Sequence, residues 1–238
     1  MGVTHLSGVT NVAAGANMGQ LPFPDPTRLH TWMDDFDNYT AADWTITEAG
    51  TGTRAVGNLD GGILVITNGA SDDDGNFLQW SGNTAAATVE TYRWAANRSM
   101  WFKARCKISD ATQSDFVMGL QITDTSPLAV SDGLYFLKAD GSTTLTFSAT
   151  KNSSSSTVTA ATLADDTYVT MGFWWDPALA KMQVFVDDVV VGEITSTTNM
   201  PDDEDLTISF GIQNGEAVAK VLSLDYICVV KDRQAVSA

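Results

Sequence analysis

The sequence has few of the residues from which catalytic and metal sites are usually built. Its 238 residues include only two cysteines and two histidines. His5 and His30 both lie in the N-terminal segment, so neither is placed to act as the base of a Ser–His–Asp or Cys–His site. Cys106 and Cys228 are too few and too far apart for a disulfide framework or a zinc pattern. We expect both to be buried as small apolar side chains.

Basic residues are also scarce. The chain has 13 lysines and arginines against 29 acidic residues, and its net charge is −16. Such a surface repels phosphate groups, so we predict no direct contact with nucleic acid or with an anionic membrane. No apolar run approaches the roughly 18 residues that span a bilayer. The N-terminus has no basic region followed by an apolar core, so we expect no secretory signal and synthesis in a cytoplasm.

Strand-like alternation is abundant from Asp34 onward. In "SMWFKARCKI", apolar or small residues occupy every second position from Met100 to Ile108, and charged residues such as Lys103 lie between them. A period of two is typical of a strand with one buried face. "LTISFGIQ" and "YVTMGFWWD" repeat it. No stretch shows a clean helical period, so the sequence predicts an all-β, antiparallel two-sheet sandwich.

Two further segments refine this prediction. "KMQVFVDDVVVGEI" reads as a hairpin with Asp187 and Asp188 at its tip. "VLSLDYICVV" reads as a strand that places Tyr226, Cys228 and Val230 inward. The polar run "NSSSSTVTAAT" fits either a flexible loop or a strand with a polar outer face.

The N-terminal segment differs from the rest of the chain. It is rich in Gly, Ala and Asn and then reads "LPFPDPTR", in which three prolines favour an extended backbone. The sequence therefore predicts an extended arm over residues 1–33, a sandwich over residues 34–233 and a short tail over residues 234–238. The arm cannot bury a core of its own, so we expect it to be held by its own domain or by neighbouring chains. The predicted anchors are Leu21, Pro22, Phe23, Pro24 and Trp32.

Acidic residues offer weak candidates for chemistry. None of the five glutamates lies in the acidic-x-acidic strand pattern of sandwich-type glucanases, although paired carboxylates can come from separate positions, such as Glu193 and Glu204. Asp72 and Asp74 in "SDDDGN" alternate as calcium ligands do, but no bidentate glutamate follows them. The simpler interpretation of each cluster is a solvated turn. We therefore predict no enzyme activity, no metal and no cofactor.

Aromatic residues on polar strand phases are candidates for contact. Trp101 and Trp174 point away from the predicted core, where they could form a subunit interface or stack on a glycan. In "DTSPLAVSDGLYFLKADGS", the Asp-Gly pairs bracket a strand whose Tyr135 and Leu137 face away from Leu134. The second apolar face of that strand should be covered by a loop or by a partner. We predict Tyr135 and Leu137 as further interface or glycan contacts.

The order of these segments resembles that of concanavalin A-like jelly rolls of the laminin-G and glucanase type. "VFVDDVVVGEI" resembles a hairpin common in that superfamily, and "LSLDYICVV" resembles its closing strand. The likeness covers about Asp34 to Asp232. It implies a jelly-roll fold, but the superfamily includes lectins and enzymes, so the fold alone assigns no function.

The phrases "SDGLYFLKADGS" and "PDDEDLTISFGIQNGEA", together with the arm, are similar to those of tailed-bacteriophage virion proteins of this fold. The resemblance implies a capsid decoration (cement) protein on the virion exterior, assembled in the host cytoplasm. Its partner would be the major capsid protein, and it would form a homo-oligomer, a trimer before a dimer. The alternatives are a glycan- or receptor-binding module of a tail or head fibre, which could use the Asp124–Asp132 loop, and a glycoside hydrolase.

Overall fold

The computed structural model describes residues 28–58, 60–82 and 90–233. Within these ranges the chain forms fifteen strands joined by turns and loops. The strands are β1 (Leu29–Asp34), β2 (Trp44–Ala49), β3 (Gly52–Val56), β4 (Leu64–Asn68), β5 (Gly75–Trp80), β6 (Met100–Ile108), β7 (Ser114–Gln121), β8 (Gly133–Lys138), β9 (Thr144–Lys151), β10 (Ser154–Thr162), β11 (Val169–Asp176), β12 (Lys181–Val186), β13 (Val189–Ile194), β14 (Thr207–Asn214) and β15 (Val221–Asp232).

The strands form two antiparallel sheets that pack face to face. The eight-stranded sheet has the order β13-β12-β11-β6-β15-β4-β3, and β1 pairs with the second half of β15. The seven-stranded sheet has the order β10-β9-β8-β7-β14-β5-β2. In the described part of the chain, the only helix is a single 3-10 turn, Ala41–Asp43, and no helix could cross a membrane. The predicted all-β, two-sheet antiparallel sandwich is confirmed.

One continuous core lies between the sheets. It is built as the alternation predicts, because β6 buries every second residue from Met100 to Ile108. Phe102 of β6 stacks on Phe173 of β11, with ring centroids 5.2 Å apart, and Phe173 contacts Phe147 of the other sheet at 5.1 Å. These rings join the two layers.

The predicted hairpin is confirmed as β12 and β13. Asp187 and Asp188 occupy its two-residue turn, with φ angles of 48° and 64°. Positive φ at both central positions is the geometry that matches the twist of paired strands. The polar run "NSSSSTVTAAT", for which the sequence left two interpretations open, forms the strand β10.

The predicted side-chain phase of β15 is wrong in its second half. The pairing of β15 with β6 shifts by one residue between Leu224 and Tyr226, so the strand contains a β-bulge. One extra residue inverts every later side chain. Ile227 and Val229 are therefore buried, whereas Cys228 points to the outer face.

The first strand lies within the range that the sequence assigns to the arm. Leu29–Asp34 pairs with Ile227–Asp232 of β15, so the chain joins the larger sheet before residue 34. Residues 1–27 and 234–238 lie outside the described ranges, and the predicted anchors Leu21, Pro22, Phe23 and Pro24 lie among them.

Candidate functional site

The outer face of the eight-stranded sheet carries a row of partly exposed apolar side chains, and we call it the open face. It consists of the outward side chains of β1, β15, β6, β11, β12 and β13. Its apolar members are Met33, Trp101, Trp174, Phe185, Val190, Cys228 and Val230. Met33 is 61% exposed and Val190 47%. Exposed apolar patches of this kind mark contact sites.

A pocket of about 140 Å³ opens on this face. Trp101 and Phe185 form its apolar walls, and Gly172 lies at its base. The strand register places Gly172 between Lys103 of β6 and Phe185 of β12, so the missing side chain creates the depression. A Cβ atom at residue 172 would lie 2.7 Å from the carbonyl oxygen of Phe102, so the close approach of β11 to β6 requires glycine.

Most charged groups of the open face are paired, so that its net charge is small. The four ion pairs are Lys103–Asp188, Arg105–Asp225, Lys107–Asp166 (3.2 Å) and Lys181–Glu193 (2.7 Å). With Asp187 of the hairpin turn and the outward Asp176 and Asp232, the face carries four basic and seven acidic residues. The chain has 13 basic and 29 acidic residues, so nine basic and 22 acidic residues lie elsewhere. Most of the net charge of −16 is therefore outside the open face.

Two groups near the centre of the open face have notable electrostatics. The Arg105 guanidinium lies over the ring of Tyr168, 4.1 Å from its centroid, in a cation–π contact. Burial raises the pKa of the Cys228 thiol, and the Lys103 ammonium opposes this shift. Cys228 therefore stays protonated at neutral pH. Both cysteines are free thiols, and Cys106 is buried in the core.

The outer face of the seven-stranded sheet, in contrast, is covered by the protein itself. The connection between β7 and β8, residues 122–132, folds back across the sheet. Its Val130 packs with three residues of the sheet, and Ile122 and Leu128 add further apolar contact. The sheet residues of this second cluster are Phe77, Val117 and Tyr135, with Leu137 at its margin. We call this surface the covered face.

A buried polar network fixes the connection to the covered face. Gln121 donates from Nε2 to the carbonyl oxygen of Pro127 at 2.9 Å and accepts a hydrogen bond from Ser209 Oγ at 2.6 Å. Gln79 donates from Nε2 to the carbonyl oxygen of Ile122 at 3.0 Å and accepts from the backbone N–H of Asp124 at 3.0 Å. Gln79 and Gln121 are 1% and 0% exposed, so these bonds form away from water.

Tyr135 and Leu137 therefore belong to a different surface from Trp101 and Trp174. The sequence grouped the four as interface or glycan contacts, but the structure buries Tyr135 to 5% exposure under residues 122–132. The apolar second face of β8 is satisfied within the chain, by the loop that the sequence offered as one of two possible covers. Trp101 and Trp174 do lie on the open face and pair across β6 and β11.

No protein-family model and no curated protein match the chain. Solved structures do match. A protein of unknown function from Shewanella oneidensis has 16% identity and a TM-score of 0.57, over 89% of this chain and 90% of that one. The carbohydrate recognition domain of Emp47p has 12% identity and a TM-score of 0.57, over 87% and 98%. An endo-1,3-β-glucanase from Streptomyces sioyaensis has 13% identity and a TM-score of 0.56, over 90% and 99%.

The fold is a concanavalin A-like jelly roll. At these identities the likeness shows the fold alone, and the neighbours include both carbohydrate-binding domains and glucan-active enzymes. The phage part of the resemblance has no counterpart among these structures and stays a prediction.

The carboxylates of this jelly roll that the sequence weighed for catalysis do not form a pair in one cleft. Glu193 is bound to Lys181 on β13 of the open face, at 2.7 Å. Glu204 lies in the exposed loop between β13 and β14. Of the other glutamates, Glu48 pairs with Arg54, and Glu90 accepts the backbone N–H of Thr123 at 2.6 Å.

Asp72 and Asp74 occupy the turn between β4 and β5 of the jelly roll. The Asp74 carboxylate accepts the backbone N–H of Ser71 at 3.1 Å and packs tightly against Gly50 and Gly69. Asp72 is exposed. In the described ranges, no group of three or more His, Cys, Asp or Glu side chains could hold a metal ion. The local geometry is that of a turn held by its own aspartate.

Trp32 packs against other aromatic residues at the edge of the sandwich, so the prediction that it anchors the arm to a partner is wrong. Its ring centroid lies 5.2 Å from that of Trp80 and 6.2 Å from that of Trp44, in edge contacts. Nearby, His30 stacks on Tyr92 at 4.7 Å, and burial followed by the charges of Arg233 and Lys231 lowers the pKa of His30. These contacts attach β1 to the body of the jelly roll.

Sequence reasoning missed three residues that shape the open face: Met33, Gly172 and Phe185. Phe185 is the only one with a usable signal, because it interrupts the alternation of Met182 and Val184 with an apolar residue on the outward phase. The sequence gives no sign that Gly172 and Met33 belong to the same surface. Only the strand register shows it, because it aligns them across β1, β15, β6 and β11.

Proposed function

We propose that this protein acts by binding, without catalysis, as a structural component of a tailed-bacteriophage virion that decorates and stabilises the capsid. The observation that carries the proposal is the open face. Half-buried tryptophan and phenylalanine beside an exposed methionine, on a surface with little net charge, are typical of protein–protein contact sites. Glu193 and Glu48 hold basic side chains and Glu90 holds a backbone amide, which supports structural roles for them.

The N-terminal segment supplies the second contact of the proposal. It is joined to the jelly roll at Arg28, directly before β1, which is the strand of the open face that carries Met33. Within that segment, Leu21 and Phe23 are the proposed capsid anchors, and the neighbouring prolines in the sequence favour an extended backbone. Trp32 is not among them, because it packs against Trp44 and Trp80.

A decoration protein stabilises the mature capsid by mass action, since it binds the assembled lattice and not the free subunits. Several weak contacts in each copy are sufficient when many copies bind side by side, because the arm and the jelly roll hold each other near their sites.

The test uses heads produced without this protein from the genome that encodes it. Purified full-length chain is mixed with these heads, and co-sedimentation and the temperature at which the heads release DNA are measured. We expect saturable binding and a higher release temperature. A chain that lacks residues 1–27 should bind the heads with an affinity that is lower by at least roughly tenfold. Heads that neither bind the chain nor gain stability would contradict the proposal.

Glycan binding is a second candidate function, favoured by the pocket. Trp101 offers an aromatic surface on which a sugar ring could stack, and Lys103 and Asp188 offer polar groups at the rim. Carbohydrate recognition domains of the same fold add to this argument. A glycan array would decide it: a strong hit that Trp101→Ala abolishes supports glycan binding, and a blank array removes this candidate.

A further inference from the structure

We propose that the open face pairs with the open face of a second copy of this chain, and that Met33 of each copy fills the pocket above Gly172 of the other. This pairing would take place in solution without capsids. Because it uses the same face as the proposed capsid contact, pairing and capsid binding through the open face would be alternatives. It specifies a dimer that is closed by a twofold axis.

The strand register places a protruding side chain and a cavity in one row. Met33 is opposite Cys228, Cys228 is opposite Lys103, and Lys103 is opposite Gly172, across β1, β15, β6 and β11. Met33 and Gly172 are therefore three strand spacings apart, about 14 Å. Met33 is 61% exposed, and the pocket at Gly172 has a volume of about 140 Å³. A flexible, unbranched thioether suits such an irregular apolar cavity.

A twofold axis can bring both Met33–pocket pairs together at once. The axis lies in the interface, runs parallel to the strands and passes midway between β15 and β6. Rotation about it exchanges the position of Met33 with that of Gly172, because both are equally far from the axis. Contacts at such an interface are self-complementary, as a closed dimer requires.

The neighbouring rows give matching contacts under the same axis. Val230 and Trp101 are paired across β15 and β6, so each Val230 would lie over Trp101 of the other copy. Tyr226 is paired with Arg105 across the same two strands, two outward rows from the Val230–Trp101 pair. Each tyrosine would therefore face Arg105 of the other copy. An apolar pair and a cation–π pair both favour association.

Charge selects this face over the rest of the surface. Each copy has a net charge of −16, and the open face carries little of it, with four basic and seven acidic residues. Nine basic and 22 acidic residues lie elsewhere, so contact through the remaining surface would mostly bring like charges together. A second copy can approach the open face with little such repulsion.

The same geometry favours two copies over three. A trimer needs two different complementary surfaces on each copy, whereas the open face carries both Met33 and its cavity. The sequence-based order of trimer before dimer is therefore reversed in this proposal.

The first test is sedimentation equilibrium of the full chain, wild type against Met33→Asp. We expect a wild-type dimer, and a dissociation constant raised about tenfold or more by the substitution, because it replaces the apolar contact and places a charge near Asp188. Val218→Asp is the matched control, since Val218 is 52% exposed on the loop before β15 and lies outside the open face. Circular dichroism should show unchanged folding in both variants.

A covalent test does not depend on affinity. The double variant Met33→Cys, Phe185→Cys is made in a Cys228→Ser background, to exclude a bond to the neighbouring native thiol. Within one molecule the new cysteines are four strand spacings apart, about 19 Å, whereas in the proposed dimer position 33 of one copy is about 11 Å from position 185 of the other. That separation is too long for a disulfide, so the reagent is a bismaleimide that spans about 11 Å. It should give a cross-linked dimer, and neither single variant should cross-link the two positions.

A wild-type chain that stays monomeric at all concentrations would overturn the proposal, and so would a dimer that Met33→Asp leaves intact. A monomer whose glycan binding is lost in Trp101→Ala would assign the face to a sugar instead. Because no heads are present, these outcomes leave the capsid-binding test independent.

Discussion

The two outer faces of this jelly roll begin from similar side chains and end differently. Both sheets present aromatic residues outward: Tyr135 and Phe77 on the covered face, Trp101 and Phe185 on the open face. What differs is the connecting chain. The eleven-residue connection 122–132 returns across its own sheet, whereas β12 and β13 are joined by a two-residue turn that cannot. Connection length and the apolar residues within it therefore decide which sheet face remains available to a partner.

The contrast predicts that truncation of an aromatic side chain lowers the free energy of unfolding more on the covered face than on the open face. Tyr135→Ala should lower the free energy of unfolding by about 3 kcal/mol, since it removes a buried ring from a packed cluster. Phe185→Ala should lower it by about 1 kcal/mol in dilute, monomeric protein, because the Phe185 ring is already partly in water. Urea unfolding of both variants measures the difference. Equal losses would mean that the open face is as well buried as the covered one.

Loss of the buried polar network should destabilise the covered face and leave the open face unaffected. Gln121→Leu removes the hydrogen bonds to Pro127 and Ser209 without removing much volume, and we expect a loss of about 1–3 kcal/mol. The connection should also become accessible to proteases at residues 122–132, while the open-face strands stay protected. The matched control is Gln183→Leu on β12, a half-buried glutamine of the open face. A loss as large in this control would show that the network contributes nothing specific.

Ion pairs on the open face should contribute little to stability. Lys103→Met removes the pair with Asp188, whose side chain is 74% exposed. Exposed pairs of this kind contribute about 0–1 kcal/mol, and salt weakens them. Thermal unfolding at low and high salt should therefore differ less for Lys103→Met than for the wild type. A loss of several kcal/mol would contradict the description of this face as solvated.

The rate at which the Cys228 thiol is alkylated reports directly on whether the open face is covered, although we expect this to be the smallest of the effects. Since burial raises its pKa, alkylation by iodoacetamide should be slow at neutral pH and rise with pH as the thiolate forms. Burial raises the pKa of Cys106 to about 12, so this thiol should react only in unfolded protein. Dilution of the wild-type chain to concentrations at which a dimer dissociates should speed alkylation of Cys228 several-fold if a second copy shields it. An unchanged rate would indicate that the open face stays uncovered.

Residue periodicity is sufficient to predict most of the fold but not the state of its outer faces. The strands β6, β11 and β14 and the β12–β13 hairpin follow from alternation and turn residues, because each is determined within a few residues of sequence. The outward turn of Cys228 does not follow, since it depends on a bulge at Asp225 that alternation alone cannot reveal. The burial of Tyr135 depends likewise on where residues 122–132 fold.

The placement of β15 has a consequence for synthesis. This last strand pairs with β6 on one side and with both β1 and β4 on the other, so Trp32 meets Val229 across nearly the whole chain. Contacts so distant in sequence close slowly, because a long loop must be ordered first. During translation, the edges of β6 and β4 that face β15 remain unpaired until β15 emerges from the ribosome. The nascent chain should therefore need protection from aggregation until β15 has been made.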